Sequence, residues 1–333
     1  MNPEKGLVLG NYRLVEKLGE GGMGVVWKAR DLREELESLR QAVPEGRGVG
    51  IPSIAVLPFS DMSREKDQAY FCEGIAEEII NALCRIQGLR VASRTGSFQF
   101  RDTGADLREI GNKLRVETIL EGSVRKSDHR LRITVQLIDA ARGYHLWSES
   151  YDREFRDVFA IQQEIARSVV RALRITLSPQ EKGALAEVPT SHVQAYDYYL
   201  KGRSFFYRYG RHDIEFALQL FSRATELDPE YALAHAGLAD CWSYIYLYSE
   251  RKDSVREQAE AAGRRAVELA SGSAQAQASF AMALSLGPNK EEAIDCLERA
   301  ASGGLLQKGW YEHDGALDPL RGHPRFKALL ERM

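Results

Sequence analysis

The spacing of hydrophobic positions changes twice along the chain. Residues 1–31 alternate apolar and polar positions around a cluster of glycines, which predicts strands joined by a tight loop. Residues 51–178 mix short β-branched runs with stretches of helical spacing, which predicts a mixed-sheet α/β domain. From residue 195 to residue 333 the spacing is helical, which predicts an all-α region. The chain is therefore expected to be a multidomain protein, α/β followed by all-α.

Two polar segments separate these regions. Residues 32–50 begin as a charged helical run and then break at Pro44 and a series of glycines, which indicates a helical and flexible linker. Residues 179–194 are polar and begin with a proline, which indicates a second linker. Because the pattern differs on the two sides of this segment, we expect the α/β and helical regions to fold separately.

Within the α/β region the predicted order of elements is β-α-β-α-β-β-β-α. A mixed sheet with helices packed on it is the fold that this order indicates. The predicted strands cover residues 53–59, 89–93, 118–125, 131–139 and 144–151, and the predicted helices cover residues 74–83, 106–114 and 157–175.

Composition and charge exclude several classes of protein. The 333 residues carry 45 Lys and Arg against 48 Asp and Glu, and this balance gives no general attraction to nucleic acid or to an anionic membrane. The four cysteines form no C-x-x-C pair, so we expect neither a disulfide framework nor a metal site. No apolar run reaches the roughly 18 residues of a membrane span, and the first residues lack a signal-peptide pattern. We expect a cytoplasmic protein without a cofactor.

A glycine-rich loop lies near the start of the chain. Gly19, Gly21 and Gly24 fit the pattern G-x-G-x-x-G, and Val26 follows within a strand-like run. A dinucleotide-binding loop would need a helix directly after the glycines, whereas strand–loop–strand is the hairpin that covers ATP in protein kinases. Residues 12–31 resemble the start of bacterial serine/threonine protein kinases. That resemblance implies that Val26 lies over adenine and the three glycines over the phosphates.

The sequence lacks the other elements of a kinase. No V-A-I-K lysine follows the loop, and neither an H-R-D nor a D-F-G motif occurs. Phosphoryl transfer needs a lysine on the phosphates, bound magnesium and a base for the hydroxyl. We therefore interpret residues 1–31 as a kinase remnant and expect no catalysis. Membership of the kinase family, with ATP binding and protein phosphorylation, is the alternative.

The α/β region resembles a second known family. Residues 55–59, 74–79, 120–125 and 146–153 together resemble the TolB N-terminal-like domain. That unit is also found beside bacterial adenylate cyclases, winged-helix regulators and kinases. The resemblance implies no catalytic residue, and a small-ligand sensor in this domain is a further alternative function.

The helical region carries an internal repeat. Its aromatic, glycine, alanine and proline positions match the tetratricopeptide signature, and Ala259 and Ala293 are 34 residues apart, the period of that repeat. The resemblance implies a helical solenoid over residues 195–333, with residues 318–326 as its C-terminal cap. The matching positions are Tyr198, Gly202, Ala217, Phe221, Ala224 and Pro229.

The tetratricopeptide resemblance implies a concave groove for a protein or peptide. Aromatic and arginine side chains are the types most common at interface hot spots, so Tyr199 and Arg203 are the expected anchors. A segment of the same chain, such as the α/β domain, is the other occupant that could cover this face. We expect a non-catalytic signalling or scaffold protein that binds its partner there. The groove positions are Tyr196, Tyr199, Arg203, Phe206, Asp240 and Met282.

Overall fold

In the computed structural model, the chain divides after residue 50 into two compact units. The first unit is an antiparallel sheet in the order β1-β2-β3, as the strand–loop–strand pattern predicts. Its strands are β1 (Val8–Leu9), β2 (Tyr12–Gly21) and β3 (Gly24–Asp31). The structure describes residues 8–9, 12–21, 24–31, 51–101, 103–127, 130–305 and 308–333. The linker predicted over residues 32–50 lies outside the described residues.

The second unit begins with an α/β domain whose sheet mixes parallel and antiparallel pairs. The strand order is β6-β4-β7-β8-β9, and β5 also pairs with β7. Strand β4 runs parallel to β6 and β7, whereas β7, β8 and β9 form an antiparallel meander. The elements are β4 (Ser53–Val56), β5 (Ser60–Asp61), α1 (Ala69–Cys84), β6 (Arg90–Val91), α2 (Arg94–Phe98), α3 (Leu107–Leu114), β7 (Thr118–Ser127), β8 (Arg130–Asp139), β9 (His145–Glu154) and α4 (Val158–Ala172).

The two faces of this sheet are covered to different extents. Alternate residues of β8, such as Ile133 and Val135, are buried in the core that includes α1 and α4. On the other face, Phe100 and Ile110 cover one end of the sheet in a smaller apolar cluster. Further along that face Thr134 is only half-buried. Because successive side chains point to opposite faces, this leaves a row of polar positions open beside the apolar cluster.

The rest of the second unit is helical. Each helix from α6 to α11 packs on the next, and apolar residues after α11 cover α10 and α11. No helix in the part of the chain that the structure describes has the length and apolar character needed to cross a bilayer. The helices are α5 (Pro179–Ala184), α6 (Val193–Phe206), α7 (Arg211–Leu227), α8 (Ala232–Tyr248), α9 (Asp253–Leu269), α10 (Ala274–Ser285), α11 (Lys290–Ser302), α12 (Lys308–His313) and α13 (Pro324–Arg332).

Residues 179–194 join the α/β and helical regions instead of separating them. Helix α5 starts at a capping box formed by Ser178 and Glu181, and Leu185 beyond it is buried in the core. One continuous core runs from the strands of the sheet to α8. This packing favours one folded unit over the separate folding expected from the sequence, because the apolar faces of α1 and α6 are buried against each other.

Candidate functional site

Helix α1 lies against the face of the helical region that the sequence assigns to a groove. At Gly74 of α1, an added Cβ would lie 2.5 Å from Cδ2 of Leu200 in α6. At Gly304, which follows α11, an added Cβ would lie 2.6 Å from the carbonyl oxygen of Cys84 in α1. Helix α1 is therefore contacted from both ends of the array of helices α6–α11.

Tyr196 and Tyr199 lie in the core at this contact. The Tyr196 hydroxyl accepts a hydrogen bond from Gln162 of α4 at 2.6 Å, and its ring lies 4.8 Å from that of Phe159. Tyr199 packs 5.1 Å from the ring of Tyr231. The expectation of an open groove at these two tyrosines needs correction, because both are buried. Tyr196 packs against α4 of the α/β domain, and Tyr199 packs among rings of the helical region. Of the two occupants expected for this face, the structure shows the intramolecular one.

Arg203 lies in a buried polar cluster at the same contact. Its guanidinium donates to the carboxylate of Glu77 and the hydroxyl of Tyr207, and to the Tyr199 hydroxyl at 3.3 Å. Glu77 also accepts from Nε of Arg94 at 3.2 Å. Burial alone would lower the pKa of Arg203, but the acidic groups around it, with Glu77 the strongest, together more than offset this and raise the pKa. Arg203 is therefore a charged link between α6 and α1.

Asp240 is half-buried, and Met282 is buried. Burial raises the pKa of Asp240 to about 7, and a hydrogen bond from Ser279 opposes that shift. Oδ1 of Asp240 has no hydrogen-bond partner among the described residues. Met282 packs in the core beneath the C-terminal helices. Both residues were expected in an open groove, and the structure instead places their side chains where packing restricts access.

Phe206 is half-buried and begins a line of aromatic rings that the sequence analysis missed. Ring centroids are 5.7 Å apart for Phe206 and Tyr209, 6.2 Å for Tyr209 and Tyr244, and 4.7 Å for Tyr244 and Tyr248. Tyr209 is 56% exposed and Tyr248 is 63% exposed. We call these four residues the aromatic stripe. The four-residue spacing of Tyr244 and Tyr248 on one helix was the available sequence signal.

The backbone of Tyr209 adopts a conformation that favours glycine. Its φ is +54°, in the left-handed region that bulky side chains rarely occupy. The hydroxyl of Tyr244 donates to the carbonyl oxygen of Tyr209 at 2.6 Å and helps to hold this turn. Such a backbone costs on the order of 1 kcal/mol, and such costs concentrate at functional sites. The protein thus keeps an exposed ring at a position where glycine would be less strained.

The glycine-loop residues lie in the first unit. Gly19 pairs with Val26 and Gly21 pairs with Gly24 across the hairpin, with an irregularity in the pairing between Lys17 and Gly19. The backbone thus matches a strand–loop–strand arrangement. ATP binding at these positions stays a prediction.

Two sequence comparisons cover parts of this chain. Residues 51–168 match the family model of the HilA/YgeH-like transcriptional regulator, second domain, within the segment that resembles TolB. The chain is also 38% identical over 213 residues to a protein of Rhizobium meliloti (strain 1021) that carries the provisional name adenylate cyclase 3. That match covers 64% of this chain and 36% of the relative. The chain thus spans about a third of the relative's length.

Three solved structures resemble part of the chain at low identity. TolB from Acinetobacter baumannii is 15% identical, over 37% of this chain and 28% of that one, with a TM-score of 0.29. The LpoB C-terminal domain from Salmonella enterica is 15% identical, over 36% and 92%, with a TM-score of 0.26. The PelC dodecamer from Paraburkholderia phytofirmans is 19% identical, over 38% and 90%, with a TM-score of 0.27. Scores this low do not assign a fold by similarity. The description of the fold therefore rests on the sheet order and helix packing given above.

Proposed function

We propose that this chain is a non-catalytic signalling protein whose helical region binds a protein partner through tetratricopeptide repeats. In this proposal the pairs α6–α7, α8–α9 and α10–α11 are the repeats. Close packing at small residues supports it. A Cβ added at Gly202 or at Gly237 would lie 2.7 Å from the ring of Phe221, and one at Gly263 would lie 2.9 Å from Phe280. The repeat signature describes this kind of packing, in which small residues at fixed positions contact a large side chain.

The signalling role draws its support from the comparisons. The α/β segment matches a domain of transcriptional regulators, and a longer segment matches a protein named as an adenylate cyclase. Cyclase activity is not part of the proposal, because this chain spans about a third of that relative. The kinase alternative has only the glycine loop in its favour, since the sequence lacks the H-R-D and D-F-G motifs.

The aromatic stripe is the observation that carries partner binding. The groove position that the repeats would offer at Tyr199 is buried, and α1 packs on the helix α6 that carries it, so a partner needs another surface. Exposed, clustered aromatic rings are the side chains most often found at the centre of protein interfaces. The strained backbone of Tyr209 adds to this, because the exposed ring is kept at an energetic cost.

The variant Tyr209→Gly tests this surface. We expect partner affinity to fall about tenfold or more, because an aromatic anchor is lost. The free energy of unfolding should change by less than about 1 kcal/mol, because relief of the left-handed backbone offsets the lost ring contacts. The measurement is recovery of partners from an extract of the native organism by the tagged full chain, followed by the dissociation constant for each recovered partner.

The matched control is Tyr144→Ala, which removes a tyrosine that is 71% exposed on the α/β domain. This control should recover the same partners as the wild type. If Tyr209→Gly and the double variant Tyr209→Gly/Tyr248→Ala both bind every partner as tightly as the wild type, the stripe is not the binding surface.

A further inference from the structure

A cleft on the α/β domain carries polar groups that the packing of the domain does not use. The cleft has a volume of about 770 Å³, within the range of roughly 300–1,000 Å³ that is usual for small-molecule sites. It lies between the partly covered face of the sheet and the segment that contains α2 and α3. Its apolar lining includes Leu57, Phe100, Leu107 and Ile110, and its polar lining includes Glu121, Ser123, Thr134 and Gln136.

Glu121 is the distinctive group in this cleft. It is half-buried on β7 and pairs in the sheet with Gln136 on β8, so the two side chains lie next to each other on one face. Among the described residues, neither side chain has a hydrogen bond or an ion pair. A carboxylate that has lost part of its hydration is stabilised by a donor or a positive charge. The Glu121 carboxylate is thus a hydrogen-bond acceptor in the cleft that no donor among the described residues pairs with.

The other charged groups of the cleft already have partners. Glu73 forms an ion pair with Arg101 at 2.6 Å. The carboxylate of Asp61 accepts two backbone N–H groups at 2.8 Å, and Lys66 donates to the backbone carbonyl of Asp61. The lining therefore holds three acidic and two basic side chains, and the unmatched charge belongs to Glu121. The electrostatics of the cleft favour a cation over an anion.

We propose that this cleft binds a small organic cation, an amine with an apolar body. The ammonium group pairs with the Glu121 carboxylate, and the side-chain oxygen atoms of Gln136 and Ser123 are the further acceptors. The apolar body lies against Phe100 and Ile110. This site is separate from the aromatic stripe, and its occupancy does not depend on the proposed partner binding.

The test compares three ligands of one skeleton on the full chain: phenethylamine, phenethyl alcohol and phenylacetate. Isothermal titration calorimetry measures each dissociation constant. We expect the amine to bind in the millimolar range or tighter, and the alcohol and carboxylate to bind at least about tenfold more weakly. Glu121→Gln keeps the shape of the side chain and should weaken amine binding about tenfold or more. Glu109→Gln removes the same charge from α3, where Glu109 is exposed and paired with Lys113, and should leave the affinity unchanged.

Three results would overturn the proposal. The first is equal affinity for the amine and the carboxylate. The second is unchanged amine binding by Glu121→Gln. The third is no binding of the amine at millimolar concentration, because a preformed site of this charge and size should hold it. A circular dichroism spectrum for each variant shows that the fold is retained.

Discussion

Arg203→Met is expected to lower the free energy of unfolding by about 3 kcal/mol. The variant leaves the buried Glu77 carboxylate without its guanidinium partner, and breaking a buried ion pair from one side costs about 3–5 kcal/mol. The lower end of that range applies because Arg94 and the Tyr207 hydroxyl still donate to Glu77. Urea unfolding of the full chain followed by circular dichroism measures the loss.

The control for this prediction is Arg208→Met, which removes an exposed arginine just after α6 and should cost less than about 1 kcal/mol. A second variant tests the cause of the loss. The double variant Glu77→Gln/Arg203→Met also removes the carboxylate that lost its guanidinium partner, so part of the stability should return. Equal stability of Arg203→Met and the wild type would mean that the cluster does not link α6 to α1.

Phe221→Ala is expected to cost about 3–5 kcal/mol. The ring is fully buried and fills the space left by Gly202 and Gly237, so its removal opens a cavity between three helices. The two glycines cannot fill that space, because neither has a side chain. Thermal and urea unfolding of the full chain measure the effect.

Phe216→Ala is the matched control on the same helix. Phe216 is 53% exposed, and its truncation should cost less than about 1 kcal/mol. If the two variants lose similar amounts, Phe221 is not the residue that holds these helices together. The difference between them therefore tests the repeat packing that underlies the proposed function.

The strands and longer helices could be predicted from local patterns. The alternation of Ile133, Val135 and Leu137 defines β8, and the prediction of residues 131–139 differs from the observed Arg130–Asp139 by one residue. Helix α2 was missed, because its five residues are too few to show a helical period. Helix α1 extends five residues before the predicted start at residue 74, because its first turn gains burial only in the assembled core.

The burial of Tyr199 and Arg203 could not be predicted in the same way. Periodicity showed that one side of α6 packs against something, but not which element packs there. The ion pair joins Glu77 to Arg203 across 126 positions of sequence, and no local signal connects them. The aromatic stripe was missed because exposure depends on how helices are arranged around it. Contacts between residues that are far apart in the sequence, such as the Glu77–Arg203 ion pair, therefore could not be predicted from the sequence.

The joining of the α/β and helical regions into one folded unit is tested most directly by following both regions in one sample. A full chain that keeps Trp147 and carries phenylalanine at Trp27, Trp242 and Trp310 reports on β9 by fluorescence, while far-UV circular dichroism reports mainly on the helices. In urea, the two signals should give the same midpoint and slope, because the core is continuous from the sheet to α8. Two separate transitions, with the helical signal lost at a different urea concentration from the Trp147 signal, would contradict a single unit.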